Sequence, residues 1–374
     1  MDYGAITVDT SIFDEKGLRL EVGILKTLEQ FKGKPYPLIL SEIVLREMQA
    51  HITKKARESR HSIEKSIKGG LLHLALTETC VSEGKKSLIP TDNDYDVAKR
   101  RLSAFIDATG ADIIPAAGQV DLQELIANYF DGKPPFAETG KKKSEFPDAI
   151  ALMSLEAWAK NNRTKLLAVS TDNDWGRFSE HSDYVDVIGD LAEAISLFQP
   201  DSDALSFCST ISKVLHEDHD HSLNNYIFEL LSDEITNCSA YAVGDSPFFF
   251  EPDVVELKLV NFEYAENESG GALLQPVQGQ ANSLIVEAKL RVTVEASTTF
   301  SLSVRDSIDK DYVSMGSTPA LVETDFEVEV LLTFEGDFSS RTEDIELTDL
   351  ELLSEAGEID FGSIEPEYFY DELY

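Results

Sequence analysis

Four short segments carry carboxylates in positions that a metal-assisted hydrolysis would use. Asp9 directly follows the apolar run Ala5-Ile-Thr-Val8 and precedes Thr10-Ser11. Glu47 ends Ile43-Val-Leu-Arg-Glu47, beside Val44, Met48 and Ile52, whose spacing draws one apolar stripe along a helix. Asp148 follows Phe146-Pro147 in what reads as a first helical turn, and Asp172 and Asp174 stand in Val169-Ser-Thr-Asp-Asn-Asp-Trp175. An acid at the carboxyl end of a strand rarely stabilises that strand. It does stand where open α/β sheets bind ligands.

Carboxylates gathered in one crevice repel each other and raise one another's pKa unless a cation compensates them. Hard, oxygen-preferring Mg²⁺ or Mn²⁺ is the natural counterion. One or two such ions can activate a water and stabilise the leaving oxygen of an in-line phosphodiester displacement, with no nucleophilic Ser, Cys or His. Asp9, Glu47, Asp148 and Asp172 are therefore the candidate catalytic acids and, with Asp174, the candidate metal ligands. Each has an ordinary reading as well: Asp9 a helix cap, Asp148 a complement to a helix dipole, Asp174 a turn residue, and Glu42 a rival to Glu47. The ordered set, more than any one member, favours a site.

The elements that must position these acids alternate between short β-branched runs and helical patterns, the signature of a parallel α/β sheet. Strands are predicted at 5–8, 37–40, 112–114, 165–170 and 184–187, and helices at 18–31, 41–67, 95–108, 121–130, 147–160 and 190–198. Ser41 reads as a helix cap, and Gly69-Gly70 as the stop of the second helix. Gln199-Pro200-Asp201 breaks the pattern. Beyond it, residues 203–236 read helical, and then 254–260, 284–294 and 326–334 alternate with period two, which argues for antiparallel strands with one charged face. The expected organisation is an α/β domain over 1–200, a helical connector over 201–250, and an acidic, β-rich, sandwich-like domain over 251–374.

On these residues the first half resembles the PIN domain family. Val8-Asp9-Thr10-Ser11 looks like its first-strand acid, Ile43-Val-Leu-Arg-Glu47 like its helix-borne glutamate, Phe146-Pro-Asp148-Ala-Ile150 like its third acid, and Val169-Ser-Thr-Asp172-Asn-Asp174-Trp175 like its fourth. The resemblance covers about residues 3–198. It implies a three-layer α/β/α sandwich around a parallel sheet, dependence on Mg²⁺ or Mn²⁺, and endonucleolytic cleavage of RNA. Thr10, Ser11, Thr171 and the run Lys141-Lys142-Lys143 are the expected substrate contacts. The long second helix, the insert 70–94 and the appended second half depart from the small toxin-like members.

The 374 residues carry a net charge of −37, which on its face disfavours a phosphate backbone. The distribution changes that argument: residues 1–200 hold 25 Lys and Arg against 31 Asp and Glu, whereas residues 201–374 hold 7 against 38. The first half, with Lys54, Lys55, Arg57, Arg60, Lys65 and Lys68 on its second helix, leaves a basic track available. The acidic second half would suit a basic protein partner or a second copy of the chain. Three widely spaced cysteines, no basic leader and no membrane-length apolar run point to a cytoplasmic protein without membrane contact. His216-Glu-Asp-His-Asp-His221 reads as a solvated bend more readily than as a metal site. Competing functions are a DNA nuclease of the same chemistry and an inactive PIN scaffold. A phosphoaspartate phosphatase would need an acid two residues after Asp9, where Ser11 stands.

Overall fold

The run Tyr-Gly-Ala-Ile-Thr-Val forms β1 (Tyr3–Val8), whose last four residues are buried, as befits the centre of a parallel sheet. After it come α1 (Thr10–Glu15), α2 (Gly23–Lys26) and a 3-10 turn over Thr27–Phe31, then β2 (Leu38–Ser41), α3 (Glu42–His73), α4 (Glu78–Leu88) and α5 (Asp94–Thr109). The first half ends with β3 (Asp112–Ile114), α6 (Leu122–Asp131), α7 (Phe146–Asn162), β4 (Lys165–Val169), α8 (Asn173–Ser179), β5 (Val185–Ile188) and α9 (Leu191–Ser196). The computed structural model describes residues 3–136, 145–200, 202–217, 221–267, 270–306, 310–339 and 345–366. The chain divides into two units, Met1–Phe198 and Gln199–Tyr374.

The first unit is built on a five-stranded sheet of order β3-β2-β1-β4-β5, with every neighbouring pair parallel. The chain leaves β1 toward β2 and β3 on one side and returns through β4 and β5 on the other. The direction of winding therefore changes between β1 and β4, the point where such sheets bind ligands at their carboxyl edge. Val8 pairs with Val169, so the residues just past both strands, Asp9 and Ser170, become neighbours at that edge. Ser41, at the end of β2, accepts the Ile43 amide at 3.2 Å and starts α3. Val44, Met48 and Ile52 are fully buried along one stripe of α3, each contributing about 1.5–3 kcal/mol. That burial fixes which way the adjacent Glu47 turns.

Two expectations need revision. Gly69-Gly70 does not stop α3, which runs on to His73; neither glycine takes the left-handed φ that ends a helix, and an interior glycine costs a helix only about 1 kcal/mol. The helix expected over 18–31 is broken, because Gly17, Leu18 and Gly23 all adopt positive φ. The insert carries a helix of its own, α4, capped by the Thr77 hydroxyl.

The second unit begins with α10 (Asp203–Glu217) and α11 (Ser222–Thr236), followed by β6 (Ala240–Asp245), β7 (Phe249–Pro252), β8 (Glu256–Tyr264), β9 (Leu274–Gly279), β10 (Ser283–Arg305), β11 (Tyr312–Glu335), β12 (Glu346–Leu352) and β13 (Gly357–Ser363). The 23-residue β10 is the spine of an antiparallel sheet. It pairs with β11 on one side and with β9, β8 and β7 in succession on the other. Its alternate residues Leu284, Val286, Leu290, Val292 and Val294 share a core with Phe207, Ile211 and Leu215 of α10 and Ile227, Leu231 and Ile235 of α11. The stretch expected as a connector thus supplies two helices to this core. The outward face carries cross-strand charge pairs, Lys289 with Glu329 and Arg291 with Glu327. His216 lies in α10 and His221 caps α11; the residues 218–220 between them lie outside the described part, as do Lys141, Lys142 and Lys143. Among the described residues no helix is long and apolar enough to cross a membrane.

Candidate active site

Asp9 caps α1 and is 4% exposed. Its Oδ1 accepts the Thr10 amide at 2.7 Å, while Oδ2 accepts the hydroxyls of Ser11 at 2.6 Å and Ser170 at 2.8 Å, with the Ser11 amide at 3.4 Å. Burial pushes its pKa up, and these hydrogen bonds work against that rise. Capping and ligand roles are compatible, because a carboxylate offers about four acceptor positions and the second one at Oδ1 is unclaimed.

The other acids follow the same pattern. Glu47 Oε2 accepts the Thr10 hydroxyl at 2.8 Å. Its pKa is raised, by burial first and also by Asp9 and Asp14, against the Thr10 bond and the influence of the nearby His51. Asp148, in the first turn of α7 behind Pro147, takes the Trp175 indole N–H on Oδ1 at 3.3 Å. Burial raises its pKa to about 7, with Asp9, Asp172 and Glu47 adding to the rise. Asp172 caps α8 by accepting the Asp174 amide on Oδ1 at 2.7 Å, and its own amide donates to the Ser170 hydroxyl at 3.0 Å. Asp148 therefore senses all three other candidate acids.

The remaining predicted residues are placed less uniformly. Asp174 pairs with Arg177, and its pKa is raised by burial before the neighbouring Asp172. Thr10 and Ser11 turn inward to orient Glu47 and Asp9, while Thr171 is exposed and donates its amide to the Ser11 hydroxyl at 3.3 Å. Glu42 holds Arg46 and the Ala116 amide. Arg57 and Arg60 both pair with Asp94, which leaves the exposed Lys54, Lys55, Lys65 and Lys68 as the basic part of α3. Ser170 and Trp175 were missed as site residues although both stand inside the motif around Asp172. Their partners lie across the fold, and no local pattern names them.

A divalent cation is chemically suited to this donor set. In Glu47, Asp148 and Asp172 one oxygen is fixed by a hydrogen bond and the other carries none among the described residues. No three acidic, His or Cys side chains among the described residues are gathered closely enough to enclose one ion.

Residues 6–175 match the family model described as the PIN domain. No curated protein and no solved structure matches the chain. The first unit, with its parallel sheet and its acids at the carboxyl edge, is a PIN domain, and so belongs to a nuclease superfamily.

Proposed function

We propose that this PIN-domain protein is a metal-dependent endoribonuclease, with Asp9, Glu47, Asp148 and Asp172 as the acids that hold Mg²⁺ or Mn²⁺. The observation that carries the reading is the state of Asp148: a half-buried carboxyl, raised to about 7 by burial and by three neighbouring carboxylates. Such a cluster is unfavourable for folding alone and becomes favourable when a cation joins it. When bound, the ion supplies Lewis acidity at the scissile phosphate and lowers the pKa of the attacking water.

The chain's own residues do the positioning. Ser11 and Ser170 fix Oδ2 of Asp9, Thr10 fixes Glu47, Trp175 fixes Asp148, and the start of α8 fixes Asp172. Each carboxylate is held by a neighbour that is itself part of the packed fold, which keeps the free oxygens in place before substrate arrives. Exposed lysines on α3 suit a nucleic-acid backbone, and Lys141, Lys142 and Lys143 are proposed to add to them. The acidic second unit is read as a regulatory or partner-binding part, for a basic protein or another copy of the chain. A cytoplasmic location accords with the cysteine usage.

The test is cleavage of matched single-stranded RNA and DNA oligonucleotides by the full chain with Mg²⁺, Mn²⁺ or chelator. RNA cut only with metal supports the reading. Preference for DNA moves the protein to the alternative substrate, and no cleavage of either supports the inactive scaffold.

A further inference from the structure

Beside the acids lies a pair of side chains that the proposed chemistry does not use. His51 Nδ1 is 2.7 Å from Asp14 Oδ2 and 3.0 Å from Oδ1. Both groups are open to solvent, with side chains 44% and 43% exposed. His51 sits four residues beyond Glu47 on α3, so the two share a helix face. Asp14 belongs to α1, the helix that Asp9 caps. The pair is thereby tied to the elements that carry two of the acids, and the Glu47 carboxyl is affected by both of its members. A solvent-exposed pair of this kind contributes at most about 0–1 kcal/mol to stability, so folding alone gives little reason for it at this edge.

The Asp14 carboxylate engages one edge of the ring and fixes its orientation. The Nε2 edge faces away from Asp14, and among the described residues it has no hydrogen-bond partner. When it carries two protons, an imidazole ring donates at both nitrogens. With Nδ1–H on Asp14, Nε2–H is left for an anionic oxygen, a charge-assisted bond of the stronger kind. The next residues on this side of α3, Lys54 and Lys55, are exposed and basic; among the described residues Lys54 has a 4.0 Å contact with Glu58.

We propose that His51 is a substrate contact of the nuclease site: held through Nδ1 by Asp14, it presents Nε2–H to a backbone phosphate flanking the cleaved bond, and Lys54 and Lys55 continue the track along α3. Asp14 is then a positioning residue. The inference rests on the nuclease reading above and extends it by giving the bound strand a direction, outward from Glu47 along α3. The exposed Lys54 and Lys55 on the same helix also offset the repulsion that a phosphate would meet on approach.

Two isosteres separate this role from simple bracing of α1 against α3. His51→Asn places an amide near the position of Nδ1 and keeps the Asp14 bond; His51→Gln reaches toward the position of Nε2. With full-length protein, Mn²⁺ and a fluorescein-labelled single-stranded oligoribonucleotide, His51→Asn and His51→Ala are expected to raise KM about tenfold with kcat little changed. They should also make the salt dependence of kcat/KM shallower by about one phosphate contact. His51→Gln should recover part of the loss, and all three should melt like wild type. Bracing predicts the reverse: Asn equal to wild type, with Gln and Ala lowering the Tm. Wild-type KM and salt slope in His51→Asn and His51→Ala would overturn the contact while leaving the nuclease reading intact. Failure of wild type to cut any RNA or DNA with metal would remove that reading and this contact together.

Discussion

The Trp175 indole N–H donates to Asp148 Oδ1 at 3.3 Å, joining the first turns of α8 and α7 across 27 residues. Trp175 is fully buried, so packing fixes the ring and the ring in turn fixes the carboxylate. The bond favours the charged form of Asp148 against the burial that opposes it. Trp175→Phe keeps an aromatic ring and removes the donor. The Mn²⁺ concentration for half-maximal cleavage is expected to rise about tenfold, matching roughly 1.4 kcal/mol for one hydrogen bond to a charged group. A Mn²⁺ activation curve superimposable on wild type would show that the bond has no part in holding the metal.

Asp172→Asn and Asp9→Asn should both abolish cleavage and leave the fold intact. Asparagine at 172 keeps the cap on the Asp174 amide, since Asn and Asp cap equally well, and replaces the free oxygen with an NH₂. The Tm should stay within a degree or two of wild type. At position 9 the amide oxygen can keep the Thr10 N–H, while the NH₂ in place of Oδ2 meets the Ser11 and Ser170 hydroxyls, which can turn to accept it. Only the long Ser11 amide contact at 3.4 Å is lost, and removal of a buried charge works against that loss. Thermal melts and metal-dependent cleavage on both variants test this, and an Asp172→Asn protein that still cuts RNA with Mg²⁺ or Mn²⁺ would refute the site assignment.

The acids were legible in the sequence because each sits at a local landmark. Asp9 and Asp172 follow strands, Asp148 follows a first-turn proline, and Glu47 borders an apolar stripe, all patterns that a window of about ten residues contains. What holds the acids was not legible. Ser170 reaches Asp9 because Val8 pairs with Val169, a register that no local window encodes. Thr10 meets Glu47 across 37 residues and His51 meets Asp14 across another 37, through the packing of α1 on α3. α1 and α8, of six and seven residues, are too short to show a helical period. In the second unit the alternation in β10 and β11 was plain, but not that β10 would take three short partners in turn along one edge.

The raised pKa of Asp148 gives the metal-free protein a signed pH dependence. Below the ordinary value of 3.8 the carboxyl is protonated whether folded or unfolded and contributes nothing. As pH rises from there to about 7, the unfolded chain ionises first, so this group progressively destabilises the fold. Above that range the penalty is constant. Asp148→Asn should therefore melt higher than wild type at pH 8 in chelator, with the difference shrinking toward pH 4. Added Mn²⁺ should raise the wild-type Tm more at pH 8 than at pH 5, because the ion competes with protons for the same oxygens. Equal Mn²⁺ shifts at the two pH values, or none, would mean that Asp148 is not a ligand.

The contrast in charge between the halves leads to a test of the second unit. Residues 1–200 hold 25 basic against 31 acidic side chains and residues 201–374 hold 7 against 38. The cross-strand pairs of β10 and β11 neutralise only a few of those acids. We propose that a surface so rich in carboxylate competes with phosphate for basic side chains, and long-range attraction of that kind weakens as salt shortens the Debye length from about 30 Å at 0.01 M to about 8 Å at 0.15 M. The first unit has its own sheet and core and ends at Phe198, so it can be made alone. The isolated unit is expected to bind single-stranded RNA several-fold more tightly than the full chain at low salt and to cut it faster, with the gap closing as salt rises. Adding the separate second unit in trans should restore inhibition at low salt only. If the isolated unit is folded by circular dichroism yet matches the full chain at every ionic strength, the acidic unit is no such competitor, and its charge serves solubility or a basic partner instead.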